Sequence, residues 1–92
     1  MLYTVYILYS FKHGKIYIGY TSNLIERMKS HNLLGTKDWT KNYRPWLVIY
    51  CEYFIDKKEA LQREKILKGG KGREWIHQRL SEQLPVHGFI SA

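Results

Sequence analysis

Runs of strand-forming hydrophobic residues, punctuated by short polar segments, open the chain. LYTVYILYSF (residues 2–11) and KIYIGY (15–20) are dense in β-branched and aromatic residues, and the polar, glycine-bearing KHGK between them predicts a β-hairpin. With an even-length loop such as Lys12–Lys15, even positions of the first strand share a face with odd positions of the second. Tyr6 and Tyr17 then lie on one face, where Gly19 offers no side chain and leaves room for close approach. A helix is expected from Asn23, which with Glu26 forms a capping box, to about Gly35. Its buried stripe is marked by Leu24 and Met28, and Arg27 and His31, four apart, border that stripe.

No period fits residues 35–45, so a loop is expected there, followed by a third strand over WLVIYCEYF at 46–54 with Pro45 ahead of it. Asp56 and Glu59 form a second capping box and open a helix over about Lys57–Lys68 that stops at Gly69 and Gly70. A last helix over about Gly72–Leu84 should bury Trp75, Ile76, Leu80 and Leu84 and end at Pro85. The pattern is α+β: a small three-stranded, mainly antiparallel sheet flanked by helices, with one domain over residues 1–84 and a tail over 85–92.

Length and composition narrow this picture. The 92 residues allow one domain, and 45% apolar content supplies one core. A single cysteine, Cys51, excludes an intramolecular disulfide and a multi-cysteine zinc site, and points to a reducing, cytoplasmic setting. The longest apolar stretch, Leu2–Phe11, is too short for a membrane span and lacks the basic flank of a signal peptide, so no membrane partner is expected. Fifteen Lys and Arg against eight Asp and Glu leave a formal charge of +7, which calls for an anionic partner, nucleic acid first. Lys37, Lys41 and Arg44, interleaved with Trp39 and Tyr43, suit contact with a phosphate backbone and stacking on an exposed base.

Candidate chemistry centres on one carboxylate. Ala60, Leu61 and Leu67 define the apolar face of the helix after the third strand, and Glu64 falls inside that arc. A carboxylate there needs either a Lys or Arg partner or a cation to coordinate. Taken singly, Tyr6 and Tyr17 read as strand residues, Arg27 as a solvated helix charge and His31 as a boundary histidine; taken together, they converge on one region with Glu64. The segment LKGGKGR (67–73) lacks the spacing of a phosphate loop. It reads as a helix-to-helix turn or, through Lys68, Lys71 and Arg73, as a contact to nucleic-acid backbone; its GxxG at 69–72 also admits a KH-like, non-catalytic RNA-binding module.

ThrValTyr at 4–6, TyrIleGly at 17–19 and the run YIGYTSNLIERMKSH through His31 resemble the GIY-YIG nuclease superfamily, and ALQREKILKG, carrying Glu64, resembles its second signature. The likeness covers about residues 3–76 and is greatest to small stand-alone bacterial members. It implies metal-dependent cleavage of phosphodiesters in DNA, with RNA not excluded, in structure-selective repair or processing. By resemblance, Tyr6 activates the attacking water, Tyr17 positions it or the phosphate, and Arg27 stabilises phosphate charge. His31 assists proton transfer, Glu64 holds one divalent cation, Mg²⁺ or Mn²⁺, and Gly19 is the glycine of the second triplet. A lone carboxylate leaves most of a coordination sphere to water and substrate, which suits Mg²⁺ better than zinc. A tyrosine with an ordinary pKa near ~10 would need a nearby positive charge, from Arg27 or the metal, to act as a base. The chain departs from the family at Thr4, which replaces the first glycine, and in having no asparagine after Asn42; Lys68, Lys71 or Gln78 are the candidate replacements for that contact.

Overall fold

The hairpin forms as β1 (Tyr3–Ser10) and β2 (Lys15–Thr21) in the computed structural model, which describes residues 2–34 and 39–83. The turn is Phe11–Gly14, one residue earlier than expected but still of even length. Gly14, at φ 65°, supplies the left-handed residue that closes it, and its N–H donates to Ser10 O at 2.7 Å. Antiparallel pairing sets Tyr6 opposite Gly19 and Leu8 opposite Tyr17, so Tyr6 and Tyr17 share a face as the parity argument requires.

The sheet order is β2-β1-β3, with β3 (Leu47–Phe54) antiparallel to β1. β1 is therefore central, and Val5, Tyr6, Ile7, Leu8 and Ser10 are all buried. Its odd side chains Val5 and Ile7 pack with Ile18 against Ala60, Leu67 and Ile76 of α2 (Lys57–Lys68) and α3 (Gly70–Gln83). Its even side chains Tyr6 and Leu8 pack with Trp46, Leu24 and Met28 on the opposite side, where α1 (Leu24–Lys29) lies. In β3, Ile49 is the extra residue of a bulge between the pairs Ile7–Tyr50 and Leu8–Val48, and both Ile49 and Tyr50 pack on the α2–α3 side.

Four expectations need correction. The first helix is capped by Asn23, whose Oδ1 accepts from the Glu26 N–H at 3.2 Å, but it is α-helical only to Lys29 and continues as a π-helical turn, Ser30–Leu34. The segment expected as a loop contains a 3-10 turn, Trp39–Tyr43, because Thr40 and Trp46 are drawn into the core. Leu61 is 38% exposed; the helix turns Ala60 and Leu67 to the sheet instead, leaving Leu61 at the margin. The last helix starts at Gly70, with Gly69 in extended conformation as the only break, so residues 70–72 form no open GxxG loop. The expected ends at Gly35 and Leu84, the stop at Pro85, the tail 85–92 and the contact residue Lys37 lie outside the described residues.

Gly72 has a packing reason. A Cβ there would lie 2.5 Å from Ile66 O and also strike Leu67 O, so α3 can approach the end of α2 only through a glycine. Gly72→Ala is expected to destabilise by about 1–3 kcal/mol, read from the urea midpoint, whereas Gly70→Ala, with nothing within 4 Å of its added carbon, should stay within about 0.5 kcal/mol.

An ion pair that the sequence did not reveal ties β3 to α2. Glu52 accepts from Arg63 Nε at 2.8 Å and Nη2 at 2.9 Å, and from the Tyr50 hydroxyl at 2.5 Å. Burial pushes the Glu52 carboxyl up, but the hydrogen bonds from Arg63 and Tyr50 outweigh it and leave the pKa below the ordinary glutamate value. The stabilisation is thus present above the unfolded glutamate pKa and lost as pH falls through the depressed folded value. Glu52→Gln should flatten the acid limb of a stability-versus-pH curve below about pH 4.5, measured by thermal unfolding.

Candidate active site

The site grows from the even face of β1. Tyr6 is fully buried, and its hydroxyl occupies the space opposite Gly19: a Cβ at that position would lie 2.6 Å from Tyr6 Oη and 2.8 Å from Cζ. The glycine of YIG is therefore a steric requirement of this tyrosine. Tyr17 lies beside it, with ring centroids 6.3 Å apart and planes inclined by 34°.

His31 reaches the same point from the π-helical turn. It is 1% exposed, with Nε2 at 2.9 Å from Tyr6 Oη and Nδ1 at 3.0 Å from Oγ1 of Thr40, which is also fully buried. The widened turn is held by side chains from the following segment. Arg44 donates from Nε to His31 O at 2.6 Å and from Nη2 to Ser30 O at 3.2 Å. Asn32 accepts from the Trp46 N–H at 2.7 Å and donates to Trp46 O at 3.1 Å, and the indole of Trp46 donates to Thr40 O at 2.8 Å. The Arg44 bonds pair two carbonyls of the π turn, and the Asn32 and Trp46 bonds tie the segment after it to that turn.

Burial is the largest influence on Tyr6 and pushes its phenol up to about 12; a hydrogen bond from Arg27 acts the other way, and the negative charge of Glu64 and the neighbouring Tyr17 raise it further. The positive charge expected beside Tyr6 is present, and burial outweighs it. Tyr6 is protonated at neutral pH. Arg27 is exposed at residue level while its head group reaches this hydroxyl. Glu64 on α2 has a side chain 17% exposed, and its Oε2 lies 3.4 Å from Lys68 Nζ, so the partner demanded by its place in the apolar arc is Lys68. No cluster of three His, Cys, Asp or Glu capable of holding a metal occurs among the described residues. The donor set is one half-buried carboxylate, which fits a hard, largely hydrated cation and not a closed protein cage.

A groove of about 580 Å³ runs along the free edge of β2, lined by Lys15, Tyr17, Trp39, Lys68, Arg73 and His77 among others. Trp39 is 46% exposed and stacks on Tyr17, with centroids 6.4 Å apart and planes at 26°; it also meets the ring of Tyr43 at 4.6 Å. Lys15 Nζ sits 5.5 Å from the centroid of Tyr43. Of the contact residues read from sequence, Trp39, Lys68 and Arg73 border this groove, Lys41 and Lys71 are exposed, and Arg44 is engaged with the π-turn carbonyls. Sequence reading missed Thr40, Lys15 and His77. Thr40 sits in a stretch without periodicity, and nothing local marks its hydroxyl as buried.

The family model of the GIY-YIG catalytic domain matches residues 2–78, and the chain belongs to the GIY-YIG family, a family of nucleases. It is similar to UPF0213 proteins: that of Staphylococcus haemolyticus is 39% identical over 57 residues, covering 62% of this chain and 70% of the relative, and that of Clostridium perfringens is 39% identical over 64 residues, covering 70% and 68%. The solution NMR structure of the UPF0213 protein of Bacillus halodurans superposes with a TM-score of 0.51 at 29% identity, covering 85% of this chain and 84% of the other. The resemblance drawn from the two triplets and the fold it implied are thereby borne out.

Contact between Gly19 and Tyr6 gives a direct test of the site's geometry. Gly19→Ala should cost about 1–3 kcal/mol by urea unfolding, and adding Tyr6→Phe, which removes the nearest atom, should make the double variant more stable than the sum of the singles by at least about 0.5 kcal/mol.

Proposed function

We propose that this protein is a metal-dependent endonuclease that hydrolyses phosphodiester bonds in DNA. The observation that carries the reading is the buried hydrogen bond between Tyr6 and His31, at a phenol on which Arg27 and Glu64 both act. Hydrolysis requires a group to take a proton from water and positive charge to meet the developing phosphorane oxygens. Tyr6 accepts the water proton, Tyr17 orients the water or the phosphate, and His31 assists the transfer. Arg27 draws charge from a non-bridging oxygen. Glu64 would hold one Mg²⁺ or Mn²⁺ ion, which when bound supplies further charge stabilisation at the phosphate.

Substrate binding falls to the basic surface: Lys68 at the end of α2 and Arg73 on α3 line the groove with Trp39, Lys71 and Lys41 are exposed, and Tyr43 and Arg44 belong to the same basic, aromatic stretch, to which the sequence adds Lys37. DNA repair or processing in the cytoplasm is the setting that this reading gives the protein, and RNA remains a second substrate to assay.

The test is single-turnover cleavage of single-stranded, duplex, flapped and branched DNA with Mg²⁺, Mn²⁺ or EDTA. Tyr6→Phe should lower the rate at least ~100-fold with affinity nearly unchanged, and Glu64→Gln should abolish metal-dependent cleavage in a folded protein. Salt-dependent binding without cleavage of any substrate would instead assign a non-catalytic nucleic-acid-binding module, and full activity in Tyr6→Phe would overturn the mechanism.

A further inference from the structure

The protons around His31 can be assigned from the donors and acceptors that surround it. Tyr6 is fully buried and carries its proton at neutral pH. Its partner Arg27 is a guanidinium, which donates and never accepts. Of these two partners only Nε2 of His31, 2.9 Å away, can accept the Tyr6 proton. A neutral imidazole that accepts at Nε2 has its own proton on Nδ1, and Nδ1 faces Thr40 Oγ1 at 3.0 Å.

We infer that Thr40 is a positioning residue for proton transfer at this site: its hydroxyl accepts Nδ1–H and holds His31 in the tautomer whose Nε2 lone pair faces Tyr6. The inference deepens the nuclease reading and rests on it for the role of Tyr6.

Thr40 is built for this task. It is fully buried in the 3-10 turn, its carbonyl is fixed by the indole of Trp46 at 2.8 Å, and its β-branched side chain has few rotamers. The hydroxyl is also the right chemistry. A carboxylate in this place would favour the imidazolium at rest, and an imidazolium carries a proton on Nε2 and cannot accept from Tyr6. A neutral hydroxyl orients the ring while keeping Nε2 as an acceptor.

The transfer balances as follows. Water gives one proton to Tyr6 Oη as the Oη proton passes to His31 Nε2; the water oxygen bonds to phosphorus and the bond from phosphorus to the leaving oxygen breaks. The leaving oxygen keeps the electron pair and takes a proton from solvent. Nε2 then returns its proton to Oη as Oη releases one to solvent.

Long-range ¹H–¹⁵N correlation on ¹⁵N-histidine-labelled protein reads the tautomer of His31 directly, with no need for substrate. The wild type should show Nδ1 protonated and Nε2 as the acceptor; a ring protonated on Nε2 at neutral pH overturns the inference without touching the nuclease reading. Thr40→Ser should keep this tautomer, and Thr40→Val, of the same shape without the hydroxyl, should lose it. An unchanged tautomer in folded Thr40→Val also overturns it. In single-turnover cleavage Thr40→Val should be slower by about 10–100-fold with unaltered DNA affinity, and Thr40→Ser should restore most of the rate. If the wild type cleaves nothing, the nuclease reading fails and the spectra alone decide the role of Thr40.

Discussion

A phenol hydroxyl in the middle of the central strand must have a hydrogen-bonding partner, because a buried polar group left unpaired costs about 1–3 kcal/mol. Tyr6 is that group, and much of one side of the molecule follows from satisfying it. His31 must reach into the core, and it does so from a turn widened from α to π geometry. The widened turn needs donors for its carbonyls, which Arg44 supplies. Asn32 in that turn fastens the backbone of Trp46, and Trp46 in turn holds Thr40 against the far nitrogen of the imidazole. The chain thus closes a loop of contacts around one oxygen atom.

Two opposed effects meet at that atom. Low polarity around Tyr6 favours the neutral phenol, and Arg27 favours the phenolate; burial prevails. A site of this kind holds its proton at rest and releases it only when an acceptor is aligned and further positive charge arrives. Glu64 belongs to the same balance. Its negative charge opposes ionisation of Tyr6 unless a cation neutralises it, so an ion held there would act on the phenol by cancelling a repulsion as well as by its own charge.

Much of this could be read in the sequence because strand parity and helix caps are local signals. The register that puts Tyr6 with Tyr17 needs only the loop length, and the caps at Asn23 and Asp56 form where their side chains indicate. Glu64 was visible as a charge in an apolar arc, and its partner Lys68 lies one helical turn away. What could not be read depends on contacts between distant segments. The π turn exists because residues beyond position 39 hold it, the Glu52–Arg63 pair joins β3 to α2, and Gly72 looked like a turn residue until the two helices were brought together. Thr40 is the clearest case, since a threonine among lysines and aromatics carries no sign of being fully buried.

β1 divides its labour by odd and even positions. Val5 and Ile7 face the α2–α3 cluster, while Tyr6 and Leu8 face the side that holds His31 and Trp46, with only the sheet backbone between. Such a partition separates two jobs. Ala60, Leu67 and Ile76 contribute to stability through packing on the face of the sheet opposite the one that buries the Tyr6 hydroxyl. A single-residue insertion in β1 would exchange the two sets of side chains at once. The strand therefore tolerates a change of side chain on one face far better than a change of its own length.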